Sequence, residues 1–286
     1  MNAHHTWETT LLRAGSFRLD GGSMFGVMPK AVWSEWAVPD ARNRIALECN
    51  CVLLRDGENT VLIETGFGEK WTEKDRDIFA MEGRTVVDAL REMSVDTGDV
   101  THVLLTHLHF DHAGALTCWS EPERGEAGGF RPTFPNARII VQKRELEDAL
   151  ENRSTMKRTY LRSHLEPVAD RFRVFEGASE VLPGIRVVPM PGHTWGQQGI
   201  EWSDHERAYV FPGDLCPTCS HVHPSSSMAY DMEPWTSMVE KGLFLERCVD
   251  EGLTVILDHD PENPLVTVER TGERRSPHRL RAPANP

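Results

Sequence analysis

The chain has 286 residues, with 31 Lys and Arg against 44 Asp and Glu, hence a formal charge of −13. That length can bury a sizeable core, and 39% hydrophobic residues exclude wholesale disorder. The charge excludes a general nucleic-acid binder and a protein that docks on anionic membranes, and no apolar run approaches the ~20 residues of a membrane-spanning helix.

The amino terminus, MNAHHTWETTLLRAGSF, lacks the basic leader and apolar stretch of a secretory signal, so a cytoplasmic protein is expected. Cys49, Cys51, Cys118, Cys216, Cys219 and Cys248 fit that compartment as buried free thiols. Residues 1–44 read as a covering segment of the domain that follows. Within them 21–29 (GGSMFGVMP) is Gly-rich yet apolar, and Trp33 and Trp36 come after it. Runs 45–54 (IALECNCVLL) and 60–64 (TVLIE) flank Asp56-Gly57-Glu58-Asn59, the pattern of a hairpin. Residues 84–94 have helical spacing, with Val86, Val87, Leu90 and Met93 on one face. Run 100–106 (VTHVLLT) reads as a buried strand, 117–134 as a surface excursion, 137–141 as a strand and 143–152 as a charged helix. Strands recur at 172–175, 185–189, 198–202 and 208–211. A helix follows at 233–251, with Trp235, Met238, Leu243 and Leu245 as its apolar residues, then a last core strand at 253–257. Residues 271–286 read as a flexible tail. Strands alternating with helices indicate a layered α/β domain over 45–270.

The segment His107-Leu108-His109-Phe110-Asp111-His112 carries the chemistry. His107 and His109, two apart, project to the same side of an extended backbone, and Asp111 and His112 fall where the chain turns towards a helix. Imidazole and carboxylate suit zinc, and also iron or manganese. With 13 His in the chain, H-x-H-x-D-H arises by chance on the order of 10⁻³ times, so a metal site is the economical reading. Three later strand ends each deliver one more donor: His193 after Pro191-Gly192, Asp214 after Pro212-Gly213, and His259 after Leu257-Asp258.

In this order the residues resemble the signature of the metallo-β-lactamase superfamily, over roughly residues 45–260. The resemblance implies a four-layer αββα sandwich with two divalent ions, zinc foremost and iron or manganese as alternatives, at one sheet edge. It implies that His107, His109 and His193 hold one ion, that Asp111, His112 and His259 hold the other, and that Asp214 bridges them. Two such ions lower the pKa of a bridging water, and the resulting hydroxide attacks an electrophilic carbonyl or phosphorus. Asp111 is then the catalytic residue that orients the hydroxide and protonates the leaving group.

Residues 22–29 (GSMFGVMP) and Ala229-Tyr230-Asp231 resemble the branch holding quorum-quenching lactonases and methyl parathion hydrolase-type organophosphatases. This implies a substrate pocket walled by Met24, Phe25, Trp33 and Trp36, with His221, His223 and Tyr230 as further substrate-binding residues. The chain departs from the homoserine lactonases at Pro217, where they carry tyrosine, and has Glu64-Thr65-Gly66 in place of the usual Asp-Thr-Gly. Glu64 can still orient a ligand histidine. Cys216-Pro217-Thr218-Cys219 lacks a second C-x-x-C and reads as incidental thiols.

The leading expectation is a dinuclear metal-dependent hydrolase of small esters, a lactonase acting on a neutral or mildly anionic substrate, with no nucleic-acid or membrane partner and a homodimer left open. A phosphotriesterase or arylesterase-type hydrolase is the alternative. A thioesterase and a non-catalytic metal-binding module rank below it.

Overall fold

Burial along the sequence fixes the strands that matter most. In the computed structural model, which describes residues 5–273 and 278–283, the strand Arg44–Arg55 has all of Leu47 and residues 49–54 buried. Such unbroken burial marks a strand covered on both faces. Its partner is the expected hairpin strand Thr60–Ile63, with Val52 opposite Ile63. The turn is closed by Asp56, whose Oδ1 accepts from the amides of Glu58 and Asn59 at 2.9 and 2.7 Å.

The chain divides into two compact units. One comprises Trp7–Phe17 and Cys49–Glu176, the other Met1–Thr6, Arg18–Glu48 and Gly177–Pro286. The six-stranded sheet runs, in spatial order, Glu8–Asp20, Arg44–Arg55, Thr60–Ile63, His102–Leu104, Arg138–Gln142 and Phe172–Phe175. Its last four strands are mutually parallel, so their carboxyl ends lie together. Loops at such ends are where open parallel sheets place chemistry. Residues 107–112 follow His102–Leu104 there.

The seven-stranded sheet belongs to the second unit and runs His278–Arg281, Leu265–Arg270, Thr254–Ile256, Ala208–Phe211, Gln198–Ser203, Ile185–Pro189 and Ser179–Leu182. Ala208–Phe211 is parallel to Thr254–Ile256, and both it and Ile185–Pro189 are antiparallel to Gln198–Ser203. These three strands therefore point the same way and deliver 193, 214 and 259 to one end of the sheet.

Several expectations change. The segment 1–44 contains a 13-residue strand, Glu8–Asp20, burying Leu12, Ala14, Phe17 and Leu19. The surface excursion at 117–134 contains a small hairpin of Thr117–Trp119 and Phe130–Pro132. The tail is not wholly loose: His278–Arg281 pairs with Leu265–Arg270, and His278 is buried, while 274–277 and 284–286 lie outside the described residues. The helix Pro234–Glu251 starts with proline in its first turn and stops at Gly252, which takes φ 64. It buries Ser237, Lys241, Phe244, Leu245 and Cys248, packed with Val210, Val255, Leu257 and Val266. Of the apolar residues of this helix, Trp235 and Leu243 are 75% and 62% exposed. No helix among the described residues is long and apolar enough to cross a membrane.

Candidate metal centre

In the unit carrying 49–176, the backbone around the histidines is pinned by two buried carboxylates. The amide of Thr106 donates to Glu64 Oε1 at 2.7 Å, and that of Leu108 to Glu145 Oε1 at 2.8 Å. The Tyr160 hydroxyl also donates to Glu145, and its ring lies 5.0 Å from that of His109. Glu64 takes φ 62, a left-handed conformation that costs a side-chain-bearing residue of order 1–3 kcal/mol. Its other oxygen lies 3.2 Å from His112 Nδ1, so the strained residue holds both the loop and a ligand ring. Gly114 must be glycine: a Cβ there would meet the Phe67 carbonyl oxygen at 2.2 Å. The ring of His107 lies 4.5 Å from His109 and 3.9 Å from His112, centre to centre, and its Nδ1 is 3.0 Å from the Thr106 hydroxyl. Asp111 Oδ1 lies 3.8 Å from His112 Nε2. All four donors are buried.

In the other unit, Gly192 takes φ +135 in close approach to Ser237, and the chain then presents His193. His193 Nδ1 donates to Asp231 Oδ1 at 2.9 Å, while Nε2 lies 3.0 Å from Asp214 Oδ2. His259 Nδ1 donates to the Glu48 carbonyl at 2.9 Å, while Nε2 lies 3.3 Å from Asp214 Oδ1. The two oxygens of Asp214 thus face two different imidazoles. Burial would raise the Asp214 pKa, but His193 and His259 hold it well below the carboxylate range. Burial likewise opposes charge on His193, yet the carboxylates of Asp214 and Asp231 push it up to about 10.

The donor set fits divalent ions. His107, His112, His193 and His259 each have Nδ1 beside an oxygen atom, which leaves Nε2 for a metal, as in metal sites whose rings are held from behind. Sequence reasoning missed Asp258, whose carboxylate lies among the ligand atoms of Asp214 and His259, all within 4.8 Å of one another. It also missed the orienting roles of Asp231, Glu145 and the Glu48 carbonyl. Asp258 is adjacent to His259 and could have been noticed; Asp231 is 38 residues from His193 and carries no such signal.

Met24, Phe25 and Trp33 are wholly buried, and the rings of Trp33, Phe25 and His221 form one stack. The Phe25 ring lies 5.4 Å from Trp33 and 4.7 Å from His221, nearly parallel to both. His221 Nε2 donates to the Met24 carbonyl at 2.9 Å and Nδ1 accepts from the Thr218 hydroxyl at 2.7 Å. Burial pushes this imidazole down to about 4, so it remains neutral and fully engaged. His223 stacks on Trp36, which is 43% exposed, and Tyr230 is half-buried. Cys216 is buried, with its thiol pushed up to about 12 by burial, and Cys219 is partly buried.

A family model described as Metallo-beta-lactamase superfamily matches residues 44–259. N-acyl homoserine lactonase AiiA of Bacillus thuringiensis subsp. kurstaki is 29% identical over 170 residues, 52% of this chain and 56% of that protein. The chain thus spans little more than half the length of the curated relative it matches. A solved structure of a probable metal-dependent hydrolase from Staphylococcus aureus agrees with a TM-score of 0.84 and 27% identity over 100% of both chains. AidC, a dizinc quorum-quenching lactonase in complex with a product N-acyl homoserine, agrees with a TM-score of 0.78 over 99% of this chain and 96% of that one. At 17% identity that likeness concerns the fold.

Proposed function

The chain belongs to the metallo-β-lactamase superfamily and has its fold, and from that premise we propose that it is a two-metal hydrolase of small esters whose substrate is a lactone. We assign His107, His109 and His193 to one ion and Asp111, His112 and His259 to the other, with Asp214 shared between them. The observation that carries this reading is the split of Asp214, one oxygen beside His193 and the other beside His259, with both rings held from their Nδ1 side. The lactone follows from the likeness to AiiA, and from AidC being a lactonase on the same fold.

Divalent ions, when bound, supply Lewis acidity and a water of lowered pKa. The chain's own residues do the rest. Asp111, buried beside His112, accepts the proton of the attacking water and returns it to the alkoxide as the ring C–O bond breaks. Glu64, Thr106, Asp231 and the Glu48 carbonyl hold the ligand rings in one orientation. Neither serine nor cysteine is needed as a nucleophile, so no covalent enzyme intermediate forms.

The test is metal content with a substrate panel. We expect two equivalents of divalent ion per chain, and lactone turnover that is lost on chelation and restored by zinc, manganese or iron. Asp111→Ala with His112→Ala should abolish it. Turnover of phosphotriesters in preference to lactones would overturn the substrate assignment, and lactone turnover by the double variant would overturn the residue roles.

A further inference from the structure

We infer, on the two-ion reading above, that Asp258 is a further metal ligand that makes the ion position at His259 rich in carboxylate. The Nδ1–H of His259 is committed to the Glu48 carbonyl at 2.9 Å, so the lone pair of this ring lies on Nε2. Both nearby carboxylates lie on that side: Asp214 Oδ1 at 3.3 Å and Asp258 Oδ2 at 3.9 Å. The second distance is too long for a hydrogen bond. It does match two atoms bound to one ion, which at ~2.0–2.2 Å from the metal lie roughly 3–4.4 Å apart. The ligand atoms of Asp214, Asp258 and His259 all lie within 4.8 Å of one another. Asp258 does not orient the imidazole, because the Glu48 carbonyl already does so from the opposite nitrogen. Its side chain is only 2% exposed and lies with those of Asp214 and His259.

The consequence is a chemical difference between the two ion positions. At His259 two carboxylates of this unit face one imidazole. At His193 the imidazole faces Asp214, and Asp231 is engaged behind the ring. Carboxylate oxygen suits manganese, whereas imidazole suits zinc. Asp258 therefore adds more to manganese(II) affinity at the His259 position than to zinc affinity.

The experiment strips the full chain with chelator and titrates it with manganese(II) alone, counting free ion by its electron paramagnetic resonance signal. The unmodified chain should bind two ions. Asp258→Asn should weaken one binding class by tenfold or more and leave the other unchanged, with a smaller loss for zinc at the same position. Asp258→Glu, which keeps the charge, should recover much of the manganese affinity. If Asp258→Asn does not fold, as judged by near-ultraviolet circular dichroism, Asp258→Ser is read in its place. Two unchanged binding constants in the Asn or Ser variant would overturn the role of Asp258 alone. An unmodified chain that binds no ion would overturn the two-ion reading and this inference with it.

Discussion

At the scale of single residues, the site is governed by what stands behind each imidazole. Asp231 is the clearest case, since its two oxygens serve His193 Nδ1 and the Met228 amide. Asp231→Ala should lower metal affinity about 10–100-fold, the usual cost of losing the group behind a ligand histidine, while leaving the fold intact. Competition against a chromophoric chelator measures this, and an unchanged affinity would remove Asp231 from the site. The candidate donors are legible in the sequence because each follows a strand end and because four of them crowd into six positions. Their supports were not. A carboxylate that reaches a ring 38 residues away, or a main-chain carbonyl such as that of Glu48, leaves no local pattern to read. The partners of His221 are equally silent: nothing nearby in sequence announces that the Met24 carbonyl meets its Nε2.

At the scale of elements, the helix Pro234–Glu251 separates what composition suggests from what packing requires. Leu245 is wholly buried and Leu243 is 62% exposed. Leu245→Ala should therefore cost about 2–5 kcal/mol in denaturant unfolding, and Leu243→Ala within about 0.5 kcal/mol. The apolar residues of this helix extend beyond its buried stripe, so composition identifies the helix but not which apolar side chains it buries. Glu8–Asp20 escaped because ETTLLRAGSFRLD mixes polar and apolar residues without clean alternation, as an outer strand of its sheet permits.

A second element-level feature is Lys70, whose Nζ donates to the carbonyls of Gly114 and Thr117, just past the His112 helix. Burial pushes its pKa from 10.5 down to about 8, against the opposing pull of Cys118 and Glu69. Between those values the unfolded chain binds the extra proton, so this lysine makes stability rise with pH from about 8 to 10.5. The slope should flatten in Lys70→Met when unfolding midpoints are compared across that range.

At the scale of the whole molecule, a charge of −13 surrounds whatever the site binds. A carboxylate-bearing ester must approach against that field, whereas a neutral lactone does not. Raising salt from about 10 to 200 mM should therefore increase kcat/KM for the charged ester and leave the neutral one unchanged, a comparison that steady-state kinetics decides. The division of the chain into units has a consequence of a different kind. The unit that holds His193, Asp214 and His259 is assembled from residues 1–6, 18–48 and 177–286. On the ribosome its early portion, with Met24, Phe25 and Trp33, emerges long before His221, whose ring stacks on Phe25 and bonds the Met24 carbonyl. At ~5–20 residues per second that interval is on the order of ten seconds. For that time the aromatic pair Phe25–Trp33 waits without the ring that covers it in the folded chain, an exposed apolar cluster of the kind chaperones bind.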